Sequence, residues 1–459
     1  MKIKHIARVT AVALGVVMLG SCNIYKKFEM PQDSALTEEY VKARQAQPDS
    51  TTFGNLRWEQ VFTDPVLVDL INQALVNNTD LRNAKLNIDI AHAQLKGAKL
   101  SFFPSLALNP NGSGTSYKGE KFSWSYQLPA AVSWEVDIFG KLLNTKRGAQ
   151  AALLQSEAYH QAARSQIIAS VANTYYTLAN LEAQLKLSRE TAALWAESVE
   201  TMKNLKLAGR LNESAVVQSQ ANYFSILASI TDIEVSIDQV NNTLSLLLNT
   251  TPQKWTVNPE ATLVAPEMLR EAIPMRELAA RPDVRAAEQT LATAYYATNQ
   301  ARANFYPGLN ITANGGFTNL IGGFITNPGD WFVQLAGSLT VPIFSRGANI
   351  AKLEATKAQQ QQALNSFEYT LMSASAEVSN AMTVYEKSAE KETYLAQQVE
   401  NLEKSVEYTQ ELLTLGTSTY LEVLTAQQGL LSAQISQLST QLSRSQAVIN
   451  LYQSLGGGR

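Results

Sequence analysis

The chain has 459 residues, with 45% hydrophobic and only 17% charged side chains, below the quarter that is usual for a soluble domain. With 37 Lys+Arg against 40 Asp+Glu it is slightly acidic, and removing Lys2, Lys4 and Arg8 leaves 34 against 40, so no basic footprint for nucleic acid exists. Gln, Asn, Ser, Thr and Ala replace the missing charge, which suits long helices and walls that touch water without a strong field.

Residues 1–21 read as a signal peptide: Lys2, Lys4 and Arg8 precede an apolar run from Val9 to Gly20 that is too short to span a bilayer. It ends in Leu19-Gly20-Ser21-Cys22, similar to a bacterial lipobox, in which the Cys becomes the acylated first residue. Cys22 is the only cysteine, so it makes no internal disulfide. Asn23 is compatible with sorting to the outer membrane. No later stretch of about 18 apolar residues occurs, so any membrane-spanning part has to be β.

After an extended segment over 22–63, the chain is written twice, over 64–249 and 281–455, with a connecting segment at 250–280 and a tail at 456–459. Asn78-Thr79-Asp80-Leu81-Arg82 pairs with Arg281-Pro282-Asp283-Val284-Arg285. Phe102-Phe103-Pro104 pairs with Phe305-Tyr306-Pro307, and Val136-Asp137-Ile138-Phe139 with Val341-Pro342-Ile343-Phe344. Each half predicts a helix (80–101 and 283–304) stopped by an aromatic-Pro pair, then a β-hairpin (105–137 and 308–342). A very long helix follows (142–207 and 348–415), broken by Gly209 or Gly416, and then a last helix (212–248 and 419–455). Some 66 helical residues span roughly 100 Å, more than a compact domain holds.

The hairpins alternate with period two. Phe122, Trp124, Tyr126, Leu128, Ala130, Val132, Trp134 and Val136 fall on one face, against Ser123, Ser125, Gln127, Ser133 and Glu135. Leu309, Ile311, Ala313 and Phe317 alternate with Asn310, Thr312 and Asn314 in the second half, followed by Trp331, Val333, Leu335, Leu339 and Val341 against Gln334, Ser338 and Thr340. Tryptophans near strand ends are typical of outer-membrane barrels. The Gly-, Asn- and Ser-rich tracts at 109–121 and 318–330 are expected to be the connecting loops. Four strands cannot close a barrel within one chain, and open edges in lipid leave backbone groups unpaired, so the pattern requires oligomerisation. A soluble sandwich sheet is the alternative that the alternation alone permits.

Trp58-x3-Phe62-x-Asp64-Pro65-x-Leu67, Phe103-Pro104-x-Leu106, Trp134-x-Val136-Asp137-Ile138-Phe139-Gly140-Lys141, Arg281-Pro282-Asp283-Val284 and Gly416-x4-Leu421-x-Val423-Leu424-x-Ala426-Gln427 occur in order over essentially the whole mature chain. In these motifs the sequence resembles the TolC-type outer-membrane efflux proteins, in particular their lipoprotein (NodT-like) branch. The resemblance implies a fold that is mainly α with membrane β. Four strands from each of three chains would form a homotrimeric twelve-stranded barrel, continued by a long periplasmic α-barrel. It implies an exit duct in the outer membrane, lipid-anchored and reaching into the periplasm, with a periplasmic adaptor and an inner-membrane RND-type pump as partners. A duct for type I protein secretion, or a lipid-anchored stalk, is the alternative; a stalk has no need of lipid-facing strands.

No catalytic, cofactor or metal motif is present, so no enzyme is expected: His92 and His160 lie in helices without a second His at i+4 or a nearby Cys. The candidate site residues are Cys22 for lipidation and, at the turns ending the long helices, Glu422, Thr425 and Glu213. The resemblance places acidic residues around 422 and 425 at a closed periplasmic mouth, and Thr425 departs from the Asp often found there. The bland reading is that these are helix-start residues, where Glu is favoured by the dipole.

Overall fold

Two helical reversals dominate the computed structural model, which describes residues 25–45, 53–263, 275–319 and 330–457. In chain order the helices are α1 (Ala35–Gln45), α2 (Trp58–Val61), α3 (Pro65–Asn77), α4 (Thr79–Leu100), α5 (Lys141–Leu207) and α6 (Glu213–Leu247). They continue with α7 (Met275–Ala280), α8 (Pro282–Ala303), α9 (Ala348–Leu415) and α10 (Tyr420–Ser454). Strands β1 (Ser105–Leu108), β2 (Asn111–Thr115) and β3 (Ser123–Val136) fall between α4 and α5, and β4 (Gly308–Asn319) and β5 (Asp330–Thr340) between α8 and α9. At 67 and 68 residues, α5 and α9 are each about 100 Å long. No described helix is long and apolar enough to cross a membrane.

The described chain forms two compact units, and neither follows the sequence repeats. One comprises the chain up to Thr37 with Leu86–Glu157 and Arg285–Tyr369; the other comprises Glu38–Lys85, Ala158–Val284 and Thr370–Arg459. Each draws on both halves, because every repeat enters and leaves its hairpin through a helix that the unit boundary crosses.

The first unit carries the sheet, in the order β1-β3-β4-β5, with β2 also on β3 and all pairs antiparallel. The hairpin expected over 105–137 is broken on its first side. Ser105 pairs with Ser133 and Asn111 with Gln127, so β1 and β2 keep one register and are two pieces of one strand. Pro110 separates them because it has no N–H to give the ladder. The tract at 109–121 is correspondingly less of a loop than its composition predicts. Asn111–Thr115 is strand, Ser113 Oγ lies 2.9 Å from Ser125 Oγ, and a Cβ at Gly114 would sit 3.1 Å from the rings of Phe122 and Trp124.

Helices in this unit meet through small side chains. Ala91 and Leu95 of α4 pack with Leu153 of α5, and Ala151 of α5 with Ala292 and Tyr296 of α8. Polar ties supplement them: Gln300 Nε2 donates to Thr145 Oγ1 at 2.8 Å, and Thr298 Oγ1 to the Thr356 carbonyl at 3.1 Å. The segment after Cys22 is held here too, since Arg147 donates to the Tyr25 carbonyl at 3.0 Å and the Phe28 N–H to Tyr296 Oη at 3.0 Å. The segment at 22–63 is not extended throughout. Ser34 and Thr37 cap α1 reciprocally, and α2 starts at Trp58.

In the second unit, Asp64 caps α3 by accepting from the N–H groups of Val66 and Leu67, with Pro65 in the first helical position. Leu67, Leu70, Ile71 and Ala74 of α3 are buried. Asn78 starts α4 in the same way and donates its amide to the Leu247 carbonyl at 2.9 Å. Leu178 and Leu185 of α5 pack with Ile237 of α6, and Trp195 of α5 with Ile226 of α6. Tyr452 of α10 lies edge-on to Phe53 and Phe62 and donates to the Leu56 carbonyl at 2.7 Å.

Candidate functional site

The strand register sorts the sheet into two chemically different faces, because directly opposed residues point the same way. Leu106, Val132, Ala313 and Leu335 form one row; Leu128, Phe317 and Trp331 form another; Val136, Leu309 and Leu339 a third. The interleaved rows carry the polar residues: Glu135, Asn310 and Ser338 in one, and Asn314 and Gln334 beside Ala131 in another. The apolar face is bare in the single chain, with Trp331, Val333 and Leu335 exposed by 74%, 73% and 76%. Surface of this kind marks an interaction site. Here the adjoining polar face and the tryptophans at the strand ends match the sheet to lipid on one side and water on the other. Among the described residues, the outer edges of β1/β2 and of β5 have no strand partner.

The second feature is the pair of turns that end α5 and α9. Gly209 and Gly416 take φ of 70° and 75°, the left-handed region that glycine enters without strain. Each closes a Schellman-type pair: Gly209 N to Lys206 O at 2.9 Å with Arg210 N to Leu205 O at 2.9 Å, and Gly416 N to Leu413 O at 3.1 Å with Thr417 N to Leu412 O at 3.0 Å. Asn212 then caps α6 through Ala215 N, and Thr419 caps α10. Met202, Val216, Tyr420 and Leu424 form one buried cluster, so the two turns pack against each other.

This packing brings Glu213 and Glu422 to the same end of the helices. Glu213 is ion-paired to Lys206 across its own turn. Glu422 completes a capping box: its carboxylate accepts from Ser418 Oγ and, at 3.3 Å, from the Thr419 N–H. The Ser418 hydroxyl and then the Thr419 amide hold its carboxyl below the ordinary glutamate range. Thr425 lies one turn further along α10, where its hydroxyl donates back to the Leu421 carbonyl at 2.8 Å. All three side chains are exposed in the single chain. The sequence reading missed Lys206, whose signal was a cation in the last turn of a helix seven residues before an acid. Cys22 lies outside the described residues.

Residues 70–250 and 273–457 each match the sequence profile of the family described as outer membrane efflux protein. The chain belongs to this family. Outer membrane efflux proteins similar to it include the probable outer membrane lipoprotein SilC of Salmonella typhimurium, 27% identical over 96% of each chain. The toluene efflux pump outer membrane protein TtgC of Pseudomonas putida is 28% identical over 98% of this chain and 95% of its own. The open state of the MtrE outer membrane channel of Neisseria gonorrhoeae superposes with a TM-score of 0.80 at 28% identity, covering 95% of this chain and 98% of that one. The double match is the duplication read from the sequence, and the superposition gives the fold of the TolC-type channels: mainly α, with a membrane sheet. The protein is an efflux channel of the outer membrane.

Proposed function

We propose that three copies of this chain close into a single duct through which small molecules pass passively from a periplasmic adaptor and an inner-membrane RND-type pump to the exterior. The observation that carries this reading is the sheet with one bare apolar face and two unpartnered edges. With four strand positions in alternating direction, the β5 edge of one copy is antiparallel to the β1/β2 edge of the next, so closure satisfies every ladder group. The number three comes from the family resemblance. The acyl anchor is at Cys22, and Glu213, Glu422 and Thr425 ring the periplasmic mouth. In this reading the chain catalyses nothing and binds its cargo weakly, leaving selection to the pump.

Native mass spectrometry of detergent-extracted protein tests the assembly. Three chains are expected, and a stable single chain with intact β signal overturns it. Small-molecule export is tested by dye accumulation in cells lacking the gene, restored by the wild type; restoration of protein secretion without any change in dye efflux would favour the secretion reading instead.

A further inference from the structure

The four joints between helix and strand share a chemical signature that the duct itself does not require. Over residues 96–104, 137–147, 299–307 and 341–352 there are eight Lys or Arg and one acidic residue, in a chain that has 37 Lys+Arg against 40 Asp+Glu and is therefore acidic elsewhere. The acid is Asp137, whose carboxylate already accepts from Leu143 N at 2.7 Å. Of the cations, Lys141 is paired with Glu135 at 2.8 Å; the described residues show no carboxylate bridged to Lys99, Lys146, Arg147, Arg302, Arg346 or Lys352.

The register places all four joints at one end of the sheet. Ser105 opens β1 opposite Ser133 near the end of β3, Val136 ends β3 opposite Leu309 near the start of β4, and Gly308 opens β4 opposite Thr340, the last residue of β5. The same joints carry an aromatic belt. Phe139 stacks on Tyr306 with centroids 5.0 Å apart, and Phe103 and Phe344 are exposed by 68% and 84%. The belt adjoins the apolar face: Trp134, in a row with Ile311, donates its indole N–H to the Phe102 carbonyl at 2.9 Å, and Lys146 Nζ lies 5.9 Å from the Phe102 ring. Arg147 holds the Tyr25 and Lys26 carbonyls, which adds the exposed Lys26 and Lys27 to the same collar.

Aromatic rings followed by cations on the water side are the arrangement that fits a headgroup layer with a negative surface. We propose that this collar is a binding surface for anionic glycerophospholipid headgroups, of the phosphatidylglycerol kind, in the leaflet that faces the helices. The inference rests on the outer-membrane location of the sheet. A polybasic surface is also the second signal that makes attachment by an acyl chain stable, so the collar and an acylated Cys22 would act on the same leaflet.

The test uses the full chain in vesicles of phosphatidylethanolamine with a minor fraction of phosphatidylglycerol, re-extracted with its bound lipid. The wild type is expected to retain phosphatidylglycerol several-fold above its bulk share. The fourfold variant K99Q/K146Q/R302Q/R346Q should lose that enrichment and retain phosphatidylglycerol at about its bulk share, while K203Q/K404Q in the helices keeps it. Should the fourfold variant fail to assemble, raising salt to about 1 M, where charges are screened within about 3 Å, must abolish the enrichment of the wild type. No enrichment in the wild type, or enrichment that survives both the variant and salt, overturns the proposal. So does a change in ion selectivity of the channel with lipid retention unaltered, since the cations then face the lumen. Failure of the wild type to enter the vesicles at all would instead count against the membrane role of the sheet.

Discussion

The Arg281 guanidinium donates to Glu377 at 2.7 Å, fastening the start of α8 to the middle of α9. The Arg281 side chain is only 7% exposed. It also forks onto both oxygens of Asp283, at 3.0 and 2.7 Å, and donates to the Ser454 carbonyl at the end of α10 at 2.7 Å. One side chain thus ties the start of α8, the middle of α9 and the end of α10 together within the second unit.

Arg281→Met is expected to destabilise the fold by about 2–4 kcal/mol. Breaking a buried pair costs about 3–5 kcal/mol, and the partial exposure of Asp283 and Glu377, at 41% and 52%, moderates it. Arg281→Lys should recover only part, because an ammonium cannot fork onto Asp283 while reaching Ser454. Urea unfolding of the detergent-solubilised protein reads both, and equal stability of wild type and Met variant would dismiss the tie.

The register assigns opposite outcomes to adjacent positions on β5. Leu335→Lys puts a charge on the apolar face, which costs about 2–4 kcal/mol at the bilayer midplane, and should block insertion. Gln334→Lys, on the polar face, should insert normally and change only conductance. Membrane fractionation with single-channel recording separates the two, and equal insertion would mean that the faces are misassigned.

Gly316 has no room for a side chain. A Cβ there would collide with the Leu128 carbonyl oxygen and lie 2.8 Å from Pro129 Cα in the paired strand. Gly316→Val should therefore disrupt β3–β4 pairing and lower the yield of the oligomer seen by native mass spectrometry. Gly337→Ala, where a Cβ meets nothing within 4 Å, should leave that assembly intact.

At the second turn the capping box makes a pH prediction. The folded-state pKa of Glu422 is depressed by the Ser418 hydroxyl and the Thr419 amide, so its contribution is present at neutral pH and is lost as pH falls below the ordinary glutamate range through the depressed value. Hydrogen exchange at the first amides of α10 should quicken in that range in the wild type. In Glu422→Gln it should be independent of pH there, once the intrinsic exchange rate is divided out. A mouth role for Glu422 predicts more: a change in cation block of the open channel that the Ser418→Ala variant, which weakens the cap but keeps the carboxylate, does not reproduce.

Lipid attachment is checked by metabolic labelling with a fatty acid. Label should mark the wild type and not Cys22→Ala, since that thiol is the only one in the chain. Label on the variant would remove Cys22 from the account.

Local rules decided much of this chain before any fold was known. Period two in the strands, glycines after the long helices, aromatic-Pro stops and two collinear halves follow from backbone sterics and burial periodicity, which act between near neighbours. They fixed α4, α5, α6, α8, α9 and α10 to within a residue or so and gave the sheet its two faces, while α1, α2, α3 and α7 were given no bounds. What they could not reach was pairing at a distance. Asn111–Thr115 is strand because β3 supplies its ladder, although its glycines and serines read as a loop. Arg281 was visible as part of a repeated motif, but its bonds to Glu377 and Ser454 span 96 and 173 residues. The turn residues show the same division. A Glu three residues after Thr419 announces a capping box in the sequence, whereas the packing of Met202 and Val216 on Tyr420 and Leu424, which sets Glu213 and Glu422 at one end, exists only once the helices are assembled. Spacing along the chain carries the local geometry; which distant side chains then meet depends on the packing of whole helices, to which no short stretch of sequence is tied.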